Sequence, residues 1–294
     1  MTQQIQGILQ APRTFVDNSI LELLKMLTPL EPLKRHQDVK LPRYKGTGLW
    51  ILKLESFIEW RNGTAIERNG VFCCYGIPGA GKTVIRYGVK YFISFNIPVT
   101  NVYQYSSVVI DDLRSQCPDI GVACLYADYK DQADQTLAHI LGTFLRQFLT
   151  TAQEPIPDGV IQKLHQIQHQ GGKLAAEENL ALLKIRLPQL KRAFICIDAV
   201  DELEPKVRRQ LFNALKKLIS NNTHLFLTGR GHIESELQKC LEVLQKYTVV
   251  ISANKEDIKT FVRQQIVDDS YPDTMDEVLE KDIIDAIVEK SQGM

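Results

Sequence analysis

A phosphate-binding loop is the clearest chemical feature of this sequence of 294 residues. Residues 76–83 satisfy the pattern G-x-x-x-x-G-K-[ST] at every defined position. Glycines in such a loop let backbone N–H groups converge on a phosphate at the start of a helix. The Lys82 ammonium suits the β- and γ-phosphates, and the Thr83 hydroxyl suits Mg²⁺. The predicted phosphate site consists of Gly76, Ile77, Pro78, Gly79, Ala80, Gly81, Lys82 and Thr83.

An acidic cluster follows a second apolar run, Phe194–Ile197. Asp198 comes directly after this run, where a carboxylate at the end of a strand is placed to hold Mg²⁺. Asp201 and Glu202 follow, and we expect them to polarise an attacking water. The alternative is a solvent-exposed acidic turn ahead of the helix that Pro205 opens.

A cation follows a third apolar run. Arg230 ends the sequence Thr228-Gly229-Arg230, and its planar guanidinium suits phosphate oxygens. We predict that it contacts the γ-phosphate; a surface arginine in a glycine-rich turn is the alternative. The run Val108–Asp112 also ends in acids, but it lacks a downstream acid pair, and we interpret it as the end of a helix.

The elements that must position these residues alternate between strands and helices. Amphipathic segments at Leu137–Phe148 and Pro205–Ile219 separate short apolar runs. This alternation predicts an α/β fold in three layers, with a parallel sheet and helices on both faces. The predicted strands are Val71–Tyr75, Val122–Tyr126, Ala193–Ile197 and His224–Thr228.

The chain divides into three predicted parts. Residues 1–45 form a helix and a linker with solvated charges, 46–251 form the main α/β domain, and 252–294 begin a helical domain. The 35 Lys and Arg residues balance 35 Asp and Glu residues, so we expect no nucleic-acid partner. No apolar run is long enough for a transmembrane segment, and the six cysteines resemble reduced core thiols, which together predict a cytoplasmic protein.

The motifs in this order resemble a NACHT domain, of the STAND class of P-loop NTPases. Asp198-Ala199-Val200-Asp201-Glu202, with a small residue after the first acid, carries much of the resemblance. The similarity covers roughly residues 28–294 and is closest to fungal NOD-like receptors with C-terminal ankyrin or other repeats. Further matching segments are Gly46–Trp50, Leu125–Tyr129 and Ile251–Ile258.

The resemblance implies a signalling switch that binds and slowly hydrolyses ATP, or GTP as the alternative, with Mg²⁺. Its nucleotide state would control self-oligomerisation through this domain. Carried onto matching positions, phosphate binding falls on 76–83, Mg²⁺ on Thr83 and Asp198, water activation on Asp201 and Glu202, and sensing on Arg230. Gly46–Trp50 would approach the base.

Two departures from the family pattern affect the site. Gly229 replaces a serine that is common between the threonine and the arginine of the sensor motif. Residues 85–104 also separate the phosphate loop from the helix that follows it directly in relatives, and they contain Pro98, which a helix interior disfavours. We interpret them as a possible insertion or retained intron. The pattern also breaks off at Met294, before the family's later segments.

Other functions stay open at this point. An interrupted loop is compatible with a pseudo-NTPase that serves as a non-hydrolysing interaction module, or with an inactive gene fragment. A metabolic kinase would need an acceptor pocket and a lid, for which the sequence gives no indication.

Overall fold

A computed structural model describes most of the chain. The described residues are 23–41, 46–63, 70–76, 102–116, 120–150, 155–169, 174–251, 256–257, 259–260 and 277–292. The helices are α1 Pro32–Lys40, α2 Glu55–Asn62, α3 Val102–Gln116, α4 Leu137–Thr150, α5 Asp158–His169, α6 Ala176–Arg186, α7 Pro205–Lys216, α8 Glu234–Leu241 and α9 Glu277–Gln292. The strands are β1 Val71–Gly76, β2 Ile120–Tyr126, β3 Arg192–Asp198, β4 Thr223–Arg230 and β5 Thr248–Ile251.

A five-stranded parallel sheet in the order β2-β3-β4-β1-β5 forms the centre of the molecule. The predicted α/β fold with a parallel sheet is confirmed. Each of the four predicted strands forms, longer by one to three residues than the sequence indicated. The fifth strand, β5, was not predicted, because its four residues are too few to show a periodicity.

Helices cover both faces of the sheet. Because successive side chains of a strand point to opposite faces, each strand contributes residues to two separate hydrophobic cores. On one face, residues such as Val71 and Ile195 pack against α4, α6, α7 and α8. On the other face, Phe72 and Phe194 pack with Trp60 of α2 and with the apolar side of α3. Burial on both faces explains why the strands are almost continuously apolar.

Four cysteines lie in these strands, and they are core thiols as the sequence predicted. Cys73, Cys74, Cys124 and Cys196 are buried free thiols. Burial raises the pKa of the Cys73 thiol to about 12, so this thiol stays protonated and packs as a small apolar side chain.

The segment 23–41 packs against the domain instead of leading away from it. Residues 32–40, for which the sequence suggested a linker, form α1, with Pro32 in its first turn. The His36 ring is buried and its nitrogens lie 2.6 Å from the Tyr126 hydroxyl of β2 and 3.1 Å from Asp111 of α3. Charged side chains of this segment that we expected to be solvated also make ion pairs. One example is Lys40, which lies 3.2 Å from Asp111.

A glycine of α4 allows the start of this segment to approach closely. A Cβ atom at Gly142 would overlap the carbonyl oxygen of Leu27. Next to it, the hydroxyls of Thr28 and Thr143 lie 2.9 Å apart. Arg146 donates a hydrogen bond to the Thr28 carbonyl at 3.3 Å. The segment therefore crosses from the α4 face, around the β2 edge, to α3.

We predict that Gly142→Ala destabilises the protein by detaching residues 23–41 from α4. Overpacking of this kind costs about 1–3 kcal/mol, which exceeds the gain of at most about 1 kcal/mol from better helix propensity. Gly159→Ala is the matched control, since a Cβ at Gly159 meets nothing within 4 Å. Urea denaturation should show a loss for the first variant and no loss for the second. Equal stability of the two variants would contradict this packing.

Candidate functional site

The predicted site residues meet at the carboxyl edge of the sheet. Gly76 ends β1, Asp198 ends β3 and Arg230 ends β4. Gly76 and Arg230 are neighbours in the register of β1 and β4. Because parallel strands end at one edge, three residues far apart in sequence converge there, as ligand sites in open α/β sheets do.

Asp198 is held by hydroxyl groups from two other elements. Its Oδ1 accepts hydrogen bonds from the Ser106 hydroxyl of α3 and, at 2.6 Å, from the Thr228 hydroxyl of β4. The residue is 1% exposed, and burial raises the pKa of its carboxyl group to about 6. The two hydrogen bonds lower this pKa, whereas the charges of Glu202 and Asp201 raise it further.

The other oxygen of this carboxylate has different surroundings. Asp198 Oδ2 is buried and has no hydrogen-bond partner among the residues that the structure describes. A buried carboxylate oxygen without a partner is costly, and Mg²⁺ is an oxygen-seeking cation that accepts one or two carboxylates together with phosphates. In the described part of the chain, no three His, Cys, Asp or Glu side chains group as a metal site. The Asp198 carboxylate fits a magnesium ion shared with nucleotide phosphates, since such an ion takes only one or two carboxylates from the protein.

A left-handed residue turns the chain after Asp198. Ala199 has φ 54°, and its N–H donates to the Thr228 hydroxyl at 3.0 Å. Thr228 thus receives one hydrogen bond from the turn and gives another to Asp198. The turn leads into the short 3-10 helix Val200–Glu202, which carries the acid pair.

The acid pair has two different environments. Asp201 lies under the end of β4, with its Oδ2 3.3 Å from Arg230 Nε. Glu202 is partly exposed and accepts a hydrogen bond from the Tyr129 N–H at 3.4 Å. The sequence treated the two acids as equivalent, whereas the structure separates them.

The rest of the phosphate loop lies outside the described residues. This applies to Ile77, Pro78, Gly79, Ala80, Gly81, Lys82 and Thr83. The structure therefore places Gly76, Asp198, Asp201, Glu202 and Arg230 together, and the roles predicted for Lys82 and Thr83 stay predictions.

The acidic run Val108–Asp112 does not contribute to this edge. It is helical, as the sequence suggested, but it lies inside α3, which continues to Gln116. Asp111 contacts His36 and Lys40, and Asp112 lies 3.1 Å from Arg61 of α2. These acids therefore form ion pairs that connect α3 to α1 and α2.

Sequence reasoning missed Ser106 and assigned no role to Thr228. The only available signal for Ser106 was a polar residue on the apolar side of a helix, next to the buried Tyr105 and Val109. That pattern is common in helices without any function.

The turn at Gly46–Trp50 lies near the start of the described part of α3. The Gly48 N–H donates to Asp257 Oδ1 at 3.0 Å, and the Tyr105 hydroxyl donates to Asp257 Oδ2 at 3.4 Å. Burial raises the pKa of the Asp257 carboxyl group. The Trp50 ring meets the Tyr105 ring edge to face, with centroids 5.6 Å apart. The turn predicted to approach a base is thereby fixed to α3.

Comparisons with known proteins place this domain in a family. The model of the family described as "Nephrocystin 3, N-terminal" matches residues 46–93 and 104–230, which is more than half of the chain. A search of curated proteins found no relative that matches the chain.

Several solved structures resemble the fold at low sequence identity. The Aeropyrum pernix ORC1 protein in complex with DNA has a TM-score of 0.42 and 16% identity over 83% of this chain and 53% of that chain. Drosophila ORC bound to poly(dA/dT) DNA and Cdc6 has a TM-score of 0.39 and 9% identity over 86% of this chain. Drosophila ORC bound to AT-rich DNA and Cdc6 has a TM-score of 0.39 and 8% identity over 87%. The chain spans about half of the first structure and 37% of each of the other two.

These structures correct one prediction. The prediction that excluded a nucleic-acid partner is contradicted: the three solved structures named above are described as complexes with DNA, which is a property of those proteins and assigns no partner to this chain. A net charge of zero averages over the whole surface and does not fix the charge of any one face. The membrane prediction has a separate outcome: among the described residues, no helix has the length and apolar character needed to cross a bilayer.

Motif, topology and family agree. The chain carries the G-x-x-x-x-G-K-[ST] sequence directly after β1, and its sheet order places the acidic strand β3 one strand away from β1, across β4. This is the arrangement of a nucleotide-binding P-loop NTPase, and the chain belongs to the Nephrocystin 3, N-terminal family.

Proposed function

We propose that this chain is a nucleotide-controlled switch. It binds ATP, or GTP as the alternative, together with Mg²⁺, hydrolyses it slowly, and uses the two nucleotide states to control self-assembly. The observation that carries the proposal is Asp198, a buried carboxylate with one oxygen fixed by two hydroxyls and the other without a partner among the described residues. A merely structural acid at this depth would have both oxygens satisfied.

In this proposal, the backbone of residues 76–83 and the Lys82 ammonium bind the phosphates. Thr83 and Asp198 hold the magnesium ion, which when bound neutralises charge on the phosphate oxygens. Glu202 is partly exposed and orients an attacking water, and Arg230 contacts the γ-phosphate. Gly76, Asp198 and Arg230 lie at the same edge of the sheet, where the phosphate loop begins.

The switch function rests on the resemblance to NACHT domains. Residues 46–251 would form the nucleotide-binding unit and 252–294 the beginning of a helical domain. As in fungal NOD-like receptors, ligand sensing would belong to repeats carried elsewhere, and the protein would act in the cytoplasm. Assembly would be the output of the triphosphate state.

A second candidate function is a non-hydrolysing interaction module. It is favoured by the gap in the family match at residues 94–103, between the phosphate loop and the main part of α3. This gap lies within residues 85–104; because the family model matches 85–93 and 104, the part that we propose to be an insertion is 94–103. A phosphate site at a helix N-terminus depends on the packing of the first turns. An insertion in that place would weaken phosphate binding.

Lys82→Ala tests nucleotide binding directly. We expect affinity for ATP or GTP with Mg²⁺ to fall by about 10- to 100-fold, because a charge-assisted hydrogen bond to phosphate is lost. Isothermal titration calorimetry measures the change, and Lys206→Ala, an exposed lysine on α7, is the control. Unchanged affinity in a variant with an unchanged circular dichroism spectrum would show that the loop does not bind phosphate.

Asp198→Asn tests whether the buried carboxylate is kept at a cost to stability. The folded protein binds this proton more tightly than the unfolded chain, because the pKa is raised from 3.8 to about 6. The favourable contribution of Asp198 is therefore complete below pH 3.8 and is lost as the pH rises through about 6. We expect the variant to be more stable than the wild type at pH 8, on the order of 2–3 kcal/mol, while its Mg²⁺-dependent nucleotide affinity falls.

Chemical denaturation between pH 4 and pH 8 measures this difference. Asp131→Asn, at an exposed position, should show no such pH-dependent gain. If Asp198→Asn gains nothing at pH 8 relative to pH 4, the carboxylate is not strained by burial, which contradicts a cost to stability at this position.

Deletion of residues 85–104 separates the two candidate functions. If the segment is an insertion, its removal joins Val84 to Tyr105, and we expect thermal stability and nucleotide affinity to rise together. Deletion of residues 94–103 alone keeps every position that the family model matches and should recover part of the gain. Thermal denaturation and titration with ATP and GTP measure both. A fall in stability for both deletions would identify the segment as an integral part of the domain.

A further inference from the structure

Both carboxylate oxygens of Asp201 contact the same residue. Oδ1 accepts a hydrogen bond from the Arg230 backbone N–H at 3.2 Å, and Oδ2 lies 3.3 Å from Arg230 Nε. The Asp201 side chain is only 5% exposed. An acid that activates water needs an oxygen that water can reach, and this carboxylate offers little access. Its contacts instead fix Arg230 at two points, the backbone and the side chain.

The way in which Arg230 is held leaves its distal end available. Asp201 contacts Nε, and a guanidinium has further N–H donors on its two terminal nitrogens. The Arg230 side chain is 55% exposed, and Gly76 lies beside it on β1. An arginine anchored through Nε at this point can therefore present its terminal nitrogens to a phosphate that the loop binds.

Gly229 provides the space for this contact. A Cβ atom at Gly229 would lie 2.5 Å from Ile233 Cδ1 and 3.2 Å from Asp201 Oδ1. Ile233 is buried and packs in the core, so it has little room to move away. The serine that is common at this position in NACHT domains would clash with Ile233 and crowd Asp201. The departure from the family pattern at Gly229 thus coincides with the place where Asp201 approaches β4.

From this geometry we infer that Asp201 is a positioning residue for Arg230, made possible by Gly229, and not a residue that activates water. The inference rests on the proposed nucleotide binding and assigns the roles within it. Asp201 affects the preference for triphosphate over diphosphate through Arg230. Of the two acids Asp201 and Glu202, Glu202 is the one that orients water.

A double-mutant cycle on the whole chain tests this assignment. The affinities of ATP and ADP, and of GTP and GDP, are measured with Mg²⁺ for the wild type, Asp201→Ala, Arg230→Ala and the double variant. We expect each single variant to reduce the preference for triphosphate by about 10-fold and the double variant to reduce it no further. Asp201→Asn keeps an oxygen for the backbone N–H but loses the charge, and it should fall in between.

The controls separate this inference from the proposed function. Glu242→Ala breaks another ion pair, with Lys216 at 2.5 Å, and should leave the preference unchanged. Arg230→Lys keeps the charge but lacks the planar fork, and it should lose the preference like Arg230→Ala. The positioning role is overturned if the two single variants' losses of triphosphate preference multiply in the double variant. It is also overturned if Asp201→Ala hydrolyses nucleotide more slowly but keeps its preference for triphosphate. In both cases nucleotide binding that depends on Lys82 would persist. A wild type that binds no nucleotide would overturn both proposals.

Discussion

The hydrogen bonds to one oxygen of Asp198 are the constraint on which the site depends. Ser106 reaches it from α3 and Thr228 from β4, so a single atom joins a helix on one face to two strands of the sheet. Thr228 then fixes the left-handed turn at Ala199, and that turn directs the acid pair. A shift of any one element would break a buried hydrogen bond, which explains how an exposed edge of the sheet can hold functional groups in fixed positions.

The same arrangement has a cost that is reasonable only for a functional residue. Three acids between residues 198 and 202 repel one another, and burial disfavours the charge of Asp198 most of all. Arg230 offsets part of this charge through Asp201. A sequence selected for stability alone would place an apolar or amide side chain at position 198. Pairing of a strained carboxylate with a phosphate loop is the pattern expected where a cation binds.

The strands, the sheet and the main acidic position could be predicted because each depends on local signals. An apolar run of Phe194–Ile197 followed by an acid identifies both a buried strand and the residue at its end. Ser106 could not be predicted, because its role depends on the distance between α3 and β3, which no local pattern encodes. The different roles of Asp201 and Glu202 also depend on β4, which lies nearby only in the folded protein. The path of residues 28–41 was missed because their polar character is typical of a linker, whereas His36 and Gly142 make contacts 75 or more residues away in the chain.

The position of this segment has a consequence for how the domain can be cut. In the part of the chain that the structure describes, β2 is an edge strand whose one partner is β3. An uncovered edge strand offers unpaired N–H and C=O groups to other chains. Contacts of α1 with Tyr126 and Asp111 place it beside this edge, and Leu24 and Leu27 cover apolar surface on α4. A fragment that starts at residue 46, where the family match begins, would lose all of this cover. Such a fragment would be prone to aggregate through β2, so we expect a stable fragment to include residues 23–41 as well as the residues that match the family model.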